Sequence, residues 1–215
     1  MNELDELAQC LGQGQTKRVA DLTQQLLDKG VGPQRILNEG LIAGMAVVGE
    51  KMRSGEMYLP EVLQAASGMQ ASLRLLKPYL VKEGAQPLGK ILLGTVKGDM
   101  HDIGKNLVGI MLQGAGFEIV DLGLNVPPQK FIEAITDHTP AIVGLSAMLT
   151  TTMLNMKTTI DAIGAAGLRS QVKVIVGGAP VSQKFAEEIG ADGYARDAVL
   201  AVDKVKQLLG VSAQG

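Results

Sequence analysis

The sequence predicts a chain in two parts, an all-α four-helix bundle over about the first 80 residues and then an α/β domain. Apolar residues recur at helical spacing from Leu4 to Leu76. From Ile91 onward, apolar runs of strand length alternate with helical stretches, a pattern typical of a parallel sheet covered on both faces. The 215 residues suffice for one large domain or for two small ones, each with its own core.

Four helices are predicted in the first part, and glycine and proline mark their ends. Gly30 and Gly32 end the second helix, and Pro33 opens the third, which runs to about Met52. Pro60 opens the fourth helix after a short break. Four helices joined by short loops favour a small bundle.

Five β–α units are predicted in the second part. The predicted strands are Ile91–Val96, Ile119–Leu122, Ile142–Leu145, Val172–Val176 and Gly193–Ala195. The predicted helices are Ile103–Ala115, Pro128–Asp137, Thr151–Ala166, Ser182–Ile189 and Ala198–Leu209. Five such units fit a flavodoxin-like (Rossmann-like), doubly wound domain with five parallel strands, in which ligands bind at the carboxyl ends of the strands.

A polar stretch containing Gly and Pro, Leu80–Gly89, is predicted to link the two parts. We therefore predict a helical domain over residues 1–85 and an α/β domain over residues 88–215.

The composition argues against several classes of partner. A net charge of -2, no tryptophan and only three each of Tyr and Phe do not favour nucleic-acid binding. No apolar run approaches the roughly 20 residues that span a bilayer, so no membrane partner is expected. The acidic start of the chain lacks the pattern of a signal peptide, and a cytoplasmic location is expected.

Few residues could bind a metal by themselves. The chain has one cysteine, Cys10, and two histidines, His101 and His138. A single cysteine can form neither an internal disulfide nor a thiolate metal cage. His138 ends a predicted helix, where its interaction with the helix dipole explains it better than metal binding does.

His101 lies in the first β–α loop of the α/β domain, where a doubly wound fold binds ligands. Asp99, two residues earlier, can hold one ring nitrogen of a metal-ligating histidine and fix its tautomer. Gly104 leaves room for a ligand near the backbone at the start of the next helix, where a phosphate is also favoured. Taken alone, a histidine in a loop is more often structural or solvated than a ligand.

The stretch Gly98–Asn106 resembles the cobalamin-binding motif of B12-dependent methyltransferases and mutases. The resemblance implies that His101 displaces dimethylbenzimidazole and becomes the lower axial ligand of cobalt, so that cobalamin binds base-off/His-on. It also implies that Asp99 is the hydrogen-bond partner of His101 and that the displaced nucleotide tail enters the α/β domain. The cofactor-contacting residues implied by this motif are Asp99, Met100, His101, Asp102, Ile103 and Gly104.

Two further segments are similar to those of the same family. In Gly144–Thr152, the resemblance places Ser146, Leu149 and Thr150 near the tail, and Thr152 where a hydroxyl extends the histidine–aspartate relay. A strand end followed by a helix N-cap would explain these threonines equally well. The segment Val176–Val181 resembles the Gly-Gly stretch that borders the tail, which implies contacts from Gly177, Gly178 and, further on, Ala198.

The stretch Val48–Glu61 resembles the helical cap of methionine synthase and of corrinoid methyl carriers. That cap covers the upper face of the corrin, and the resemblance makes Met52 and Leu59 candidate upper-face residues. Methionine synthase has phenylalanine where this chain has Met52. Packing in the bundle core would also explain Met45, Met52, Met57 and Met69.

The resemblance implies a stand-alone corrinoid carrier of an anaerobe, active in methylamine, methanol or methoxyaromatic demethylation and not catalytic on its own. A substrate-specific methyltransferase would load the methyl group, and a second would pass it to coenzyme M or tetrahydrofolate while cobalt cycles between Co(I) and methyl-Co(III). A reductive activase is a further implied partner. A B12-dependent regulator that acts through protein contacts and an α/β domain without cobalamin are the alternatives.

Overall fold

The computed structural model describes residues 2–83 and 86–211. It divides into a helical unit and an α/β unit, with the main boundary between Pro87 and Leu88 and with Gly114–Gly116 grouped with the helical unit. Within the described ranges, no helix is both long enough and apolar enough to cross a membrane.

The helical unit confirms the predicted all-α part. Its elements are α1 (Glu3–Gly12), α2 (Thr16–Asp28), α3 (Pro33–Arg35), a π-helix (Ile36–Ile42), α4 (Ala43–Ser54) and α5 (Leu59–Lys82). Asn2 and Asp5 form a capping box at the start of α1. Gly55 ends α4 in the left-handed conformation, at φ 79°. The largest fully buried side chains of this unit include Leu7, Leu11, Ile36, Leu41, Met69 and Leu76.

The third predicted helix contains a π-helical stretch that the sequence did not indicate. Near its end the Ala43 N–H donates to the carbonyl of Asn38, five residues earlier. Gly40, within the stretch, lies so close to α1 that a Cβ there would be 2.6 Å from Leu7 Cδ2. Apolar spacing predicts a helix here but does not distinguish a short π-helical stretch from the α-helix around it.

The predicted linker is partly wrong, because α5 continues through Lys82. The helix passes Pro78 even though proline cannot donate the backbone hydrogen bond of a helix. The predicted linker residues Gly84 and Ala85 lie outside the described residues.

The α/β unit confirms the predicted flavodoxin-like fold. Its strands are β1 (Lys90–Thr95), β2 (Glu118–Asp121), β3 (Ile142–Ser146), β4 (Lys173–Gly177) and β5 (Gly193–Ala195). Its helices are α6 (Ile103–Gly114), α7 (Pro128–His138), α8 (Leu154–Ala165), α9 (Gln183–Glu188) and α10 (Ala198–Leu209). All strand pairs are parallel, in the order β2-β1-β3-β4-β5.

Apolar side chains cover both faces of this sheet. Leu92 belongs to a buried cluster with Phe131 of α7 and Met156 of α8. The next residue, Leu93, points to the opposite face, where Gly109 of α6 lies close to it. Burial on both faces explains why the strands read as continuous apolar runs rather than as alternating ones.

The sheet order creates a switch point between β1 and β3. The chain leaves β1 towards β2 on one side, whereas β3 continues towards β4 on the other. Thr95 at the end of β1 pairs with Ser146 at the end of β3, so the loops that follow both strands begin side by side. Ligands of doubly wound folds bind in the crevice at such a point.

Helix α8 begins at Leu154, three residues later than predicted. The N–H groups of Thr152 and Met153 both donate to the carbonyl of Leu149, forming turns ahead of the helix. The chain around Thr152 therefore belongs to the loop at the switch point.

Candidate functional site

The loop between β1 and α6 brings Asp99 and His101 into direct contact. The carboxylate Oδ1 of Asp99 lies 2.8 Å from Nδ1 of the His101 ring. The same oxygen accepts the His101 backbone N–H at 3.0 Å. One carboxylate oxygen therefore fixes both the backbone and the ring of His101.

The second carboxylate oxygen of Asp99 is held from the loop after β3. The Thr152 hydroxyl donates to Oδ2 at 2.5 Å, and the Met148 N–H donates to it at 2.7 Å. Asp99 is fully buried. Burial alone would raise the pKa of this carboxyl, but the hydrogen bonds from Thr152, Met148 and His101 together hold it well below its usual range.

His101 presents its other ring nitrogen for binding. Its side chain is 53% exposed, whereas that of Asp99 is 0% exposed. Within residues 2–83 and 86–211, Nε2 has no hydrogen-bond partner. Since Nδ1 faces a carboxylate that remains ionised, the proton of a neutral ring resides on Nδ1 and leaves the Nε2 lone pair available to a metal.

Several large apolar side chains in the loops and helix starts around His101 face solvent. Those exposed by 45–69% are Met100, Ile103, Met148, Leu149 and Leu154. They come from the loop after β1, the loop after β3 and the first turns of α6 and α8. A group of exposed apolar residues beside an accessible histidine marks a surface suited to a large, flat apolar ligand.

Two glycines near this surface differ in the space around them. A Cβ at Gly104 would meet nothing within 4 Å, so the backbone at the start of α6 borders open space. At Gly178, with φ 126°, a Cβ would lie 1.8 Å from the carbonyl oxygen of Ala147. Gly178 is thus required by the close approach of β3 and β4, whereas Gly104 is not required by protein packing.

The remaining predicted site residues of the α/β unit lie at the carboxyl ends of strands or just beyond them. Ser146 and Gly177 are paired neighbours that end β3 and β4, and both are partly exposed. Thr150 is exposed in the turn before α8. Ala198 is buried as the first residue of α10, next to Asp197, whose side chain caps that helix. Asp102 accepts from the Asn106 side chain at 3.0 Å.

In the helical unit, Met52 and Leu59 are partly exposed on either side of the turn between α4 and α5. Met45, Met57 and Met69 are buried, which favours the core explanation for these three methionines. Met52, which is partly exposed, is compatible both with packing in the bundle core and with the upper-face role that the resemblance implies.

Sequence reasoning missed several residues that hold the His101 loop. Lys105, only 3% exposed, forms an ion pair with Asp121 at 2.5 Å. Asn125 and Asn155 bind backbone groups of residues 97 and 98. Their contacts bridge 16 to 58 residues of sequence, so no local pattern could have indicated them.

No group of three or more His, Cys, Asp and Glu that could hold a metal ion occurs within the described ranges. The accessible Nε2 of His101 and the exposed apolar side chains around it are the kinds of group that could contact a metal held in a flat macrocycle.

Comparisons with known proteins agree with this geometry. A family model described as a B12 binding domain matches residues 89–203, and a second model with the same description matches residues 3–77. A corrinoid protein of Desulfitobacterium hafniense is 41% identical over 213 residues, which cover 98% of this chain and 99% of that protein. The dimethylamine corrinoid protein of Methanosarcina barkeri is 44% identical over 210 residues, covering 95% of this chain and 98% of that protein.

A solved structure matches the whole chain as well. A chain in the crystal structure of the methanol:cobalamin methyltransferase complex MtaBC from Methanosarcina barkeri has a TM-score of 0.86 and 27% sequence identity. The match covers 98% of this chain and 81% of that chain.

Proposed function

Because this chain belongs to the corrinoid methyl-carrier proteins of methylamine and methanol methyltransferase systems, we propose that it binds cobalamin base-off/His-on through His101. In that role it carries a methyl group from a substrate:corrinoid methyltransferase to a second methyltransferase, whose acceptor is coenzyme M or tetrahydrofolate. When bound, cobalamin supplies the cobalt atom that takes up and releases the methyl group.

One observation carries the proposal: an exposed His101 ring whose Nδ1 is held by a buried carboxylate and whose Nε2 has no partner among the described residues. A histidine that only supported the fold would use both ring nitrogens in hydrogen bonds or would lie on the surface without a buried partner. Here the ring is fixed on one side and accessible on the other, as in a histidine that is oriented to bind a metal.

Asp99 and Thr152 orient the ligand in this proposal. The buried carboxylate keeps the proton on Nδ1 of His101, and the Thr152 hydroxyl and Met148 N–H keep the carboxylate in place. We expect the strength of these hydrogen bonds to determine how firmly His101 would bind cobalt.

The other candidate residues have separate proposed roles. Open space beside Gly104 suits the nucleotide tail, and the tail is proposed to contact Ser146, Leu149, Thr150, Gly177, Gly178 and Ala198. Met100, Asp102 and Ile103 are proposed to border the corrin. Met52 and Leu59 are proposed as upper-face residues of a helical cap spanning residues 1–85, with a cobalamin-binding domain spanning residues 88–215.

The partners are proposed from the family. The names of the relatives point to methylated amines and methanol as the class of methyl donor, and the structure of the methanol:cobalamin methyltransferase complex MtaBC contains a chain similar to this one. A substrate-specific methyltransferase, a second methyltransferase and a reductive activase are therefore the proposed partners. A cytoplasmic location remains a prediction.

The test is reconstitution with hydroxocobalamin, followed by visible absorption spectroscopy of the wild type, His101→Ala and, as a matched control, His138→Ala. We expect stoichiometric binding and a base-off/His-on spectrum in the wild type and in His138→Ala. In His101→Ala the His-on spectrum should disappear while the protein stays folded. A His-on spectrum that persists in His101→Ala would reject His101 as the ligand, and folded wild type that binds no cobalamin would reject the proposed function.

A further inference from the structure

Two asparagines that lie outside the predicted site hold the backbone of the loop that carries His101. The Asn125 side-chain Oδ1 accepts the Gly98 N–H at 2.7 Å, and the Asn125 N–H donates to the Asp99 carbonyl at 3.0 Å. From the opposite side, the Asn155 Nδ2 donates to the Lys97 carbonyl at 2.8 Å. The loop is thus held by the segment after β2 and by the start of α8.

The geometry at Asn125 is specific. Its φ of 51° is left-handed, a conformation that asparagine and glycine adopt more readily than other residues. Gly98 is also left-handed, with φ 83°. The next residue, Val126, donates its N–H to the Thr95 carbonyl at 2.9 Å, while the Thr95 hydroxyl donates to the His101 carbonyl at 3.0 Å. Asn125 therefore lies where the segment after β2 is fixed to the end of β1 and to the first residues of the His101 loop.

We propose that Asn125 is a positioning residue for His101, acting through Gly98 and Asp99; this rests on the proposed role of His101 as the cobalt ligand. The Asn125 side chain fixes the turn at Gly98, and its N–H fixes the Asp99 carbonyl. Together these contacts determine where the Asp99 carboxylate meets Nδ1 of the ring. The direction in which Nε2 points follows from that contact.

If Asn125 had a purely structural role, its replacement would mainly lower the free energy of unfolding. Asn125 is exposed, so its side-chain hydrogen bond competes with water and contributes little to the free energy of unfolding. Removing the Oδ1 acceptor should therefore leave the fold stable while loosening the loop. Asn125→Gly removes the acceptor and still accommodates the left-handed backbone, and Asn125→Asp keeps an acceptor and tolerates the same conformation.

The test is NMR of the apoprotein with 13C,15N-labelled histidine. The chain has only two histidines, so the His101 ring can be followed while His138 serves as an internal reference. In Asn125→Gly we expect the His101 ring signals to shift and broaden and the His138 signals to stay unchanged, with the midpoint of thermal unfolding nearly that of the wild type. Asn125→Asp should restore the His101 signals.

Cobalamin titration of the same variants provides the second measurement. We expect roughly tenfold weaker binding and a reduced share of the His-on spectrum in Asn125→Gly, at the low end of the effect of groups that orient a metal ligand, with recovery in Asn125→Asp. Unchanged His101 signals in Asn125→Gly would overturn the proposal, and so would a general loss of stability that moves both histidines. If the wild type bound no cobalamin but the His101 signals responded as expected, the positioning role would stand and the proposed function would fail.

Discussion

Asp99 has an environment unlike that of an ordinary carboxylate at the protein surface. It is fully buried, yet hydrogen bonds from Thr152, Met148 and His101 satisfy both of its oxygens. A buried carboxylate is costly without such donors, so the donors from the loop after β3 are what permit an ionised group beneath His101. The residue therefore couples the stability of the loop to the orientation of the His101 ring.

Replacing Thr152 with valine tests this coupling. Valine has nearly the same shape but cannot donate, so Asp99 Oδ2 loses the hydrogen bond that measures 2.5 Å in the wild type. We expect Thr152→Val to lower the free energy of unfolding by about 2 kcal/mol at pH 7, the usual contribution of a hydrogen bond to a charged group. Thr152→Ser keeps the hydroxyl, so its free energy of unfolding should fall much less. Urea unfolding of the apoprotein measures both values.

The pH dependence of that difference has a definite sign. The folded-state pKa of Asp99 is depressed, so the stability that Asp99 contributes is fully present above its unfolded pKa of about 4. It is lost as the pH falls through that value towards the lower pKa of the folded state. The difference in the free energy of unfolding between the wild type and Thr152→Val should therefore decrease as the pH drops below about 4. A gap that widens on acidification would contradict this account.

Gly104 and Gly178 provide a contrasting pair of substitutions. Gly178→Ala places a Cβ against the Ala147 carbonyl and should destabilise the fold by on the order of 3 kcal/mol. Gly104→Ala meets no protein atom within 4 Å and lies in a helix, where alanine is more favourable than glycine by up to about 1 kcal/mol. Its unfolding free energy should stay the same or rise.

Cobalamin titration shows whether Gly104→Ala weakens binding without lowering stability. If the open space beside Gly104 receives the nucleotide tail, Gly104→Ala should bind cobalamin more weakly despite its intact fold. Unchanged affinity in a stable Gly104→Ala would remove Gly104 from the site.

At the scale of elements, the switch point between β1 and β3 explains why the candidate site lies where it does. The pairing of Thr95 with Ser146 aligns the ends of the two strands, and the loops that follow them carry His101 and Thr152. Asp99 and Thr152 are therefore joined by a hydrogen bond although they are 53 residues apart in sequence. The pairing of β1 with β2 and the Val96–Val126 bridge bring the segment after β2 against the other side of the His101 loop.

The start of α6 is fixed to the end of β2 by an asymmetric ion pair. The Lys105 side chain is 3% exposed and that of Asp121 is 45% exposed. Asp121→Ala should thus leave a buried ammonium group whose remaining partner, among the residues that the structure describes, is the Asn106 side chain, at a cost of roughly 3 kcal/mol. Lys105→Met fills the buried position with an apolar chain and leaves a carboxylate that water can reach, so it should cost less.

Thermal and urea unfolding of the two variants check whether Asp121→Ala loses more stability than Lys105→Met. Equal losses would mean that the attraction between the charges matters more than burial of the ammonium group. A larger loss in Lys105→Met would contradict the prediction.

At the scale of the whole molecule, the helical unit and the α/β unit differ in how their sequences indicate the fold. The helical unit is recognisable from apolar spacing and from glycine and proline at helix ends. Its single cysteine, Cys10, is buried in α1, and burial raises the pKa of that thiol. The α/β unit is recognisable from the alternation of strand-length and helix-length segments, and its predicted strands agree with the observed ones to within about a residue.

The predictions that failed share one cause. The π-helix at Ile36–Ile42, the extension of α5 past Pro78 and the late start of α8 at Leu154 all depend on packing or on hydrogen bonds made in the folded chain. Local preferences at these positions are compatible with more than one conformation. Neighbours that are distant in sequence select among them.

The sequence by itself determined the order of the elements, the parallel doubly wound sheet and the motif around His101. These follow from apolar periodicity and from residue types at fixed spacing, which are local properties. Only the tertiary structure decided that Asp99 is buried with donors on both oxygens, that Asn125 holds the loop and that Gly104, unlike Gly178, borders open space. Those features depend on sheet register, which brings together loops from different parts of the chain, and no local pattern contains that information.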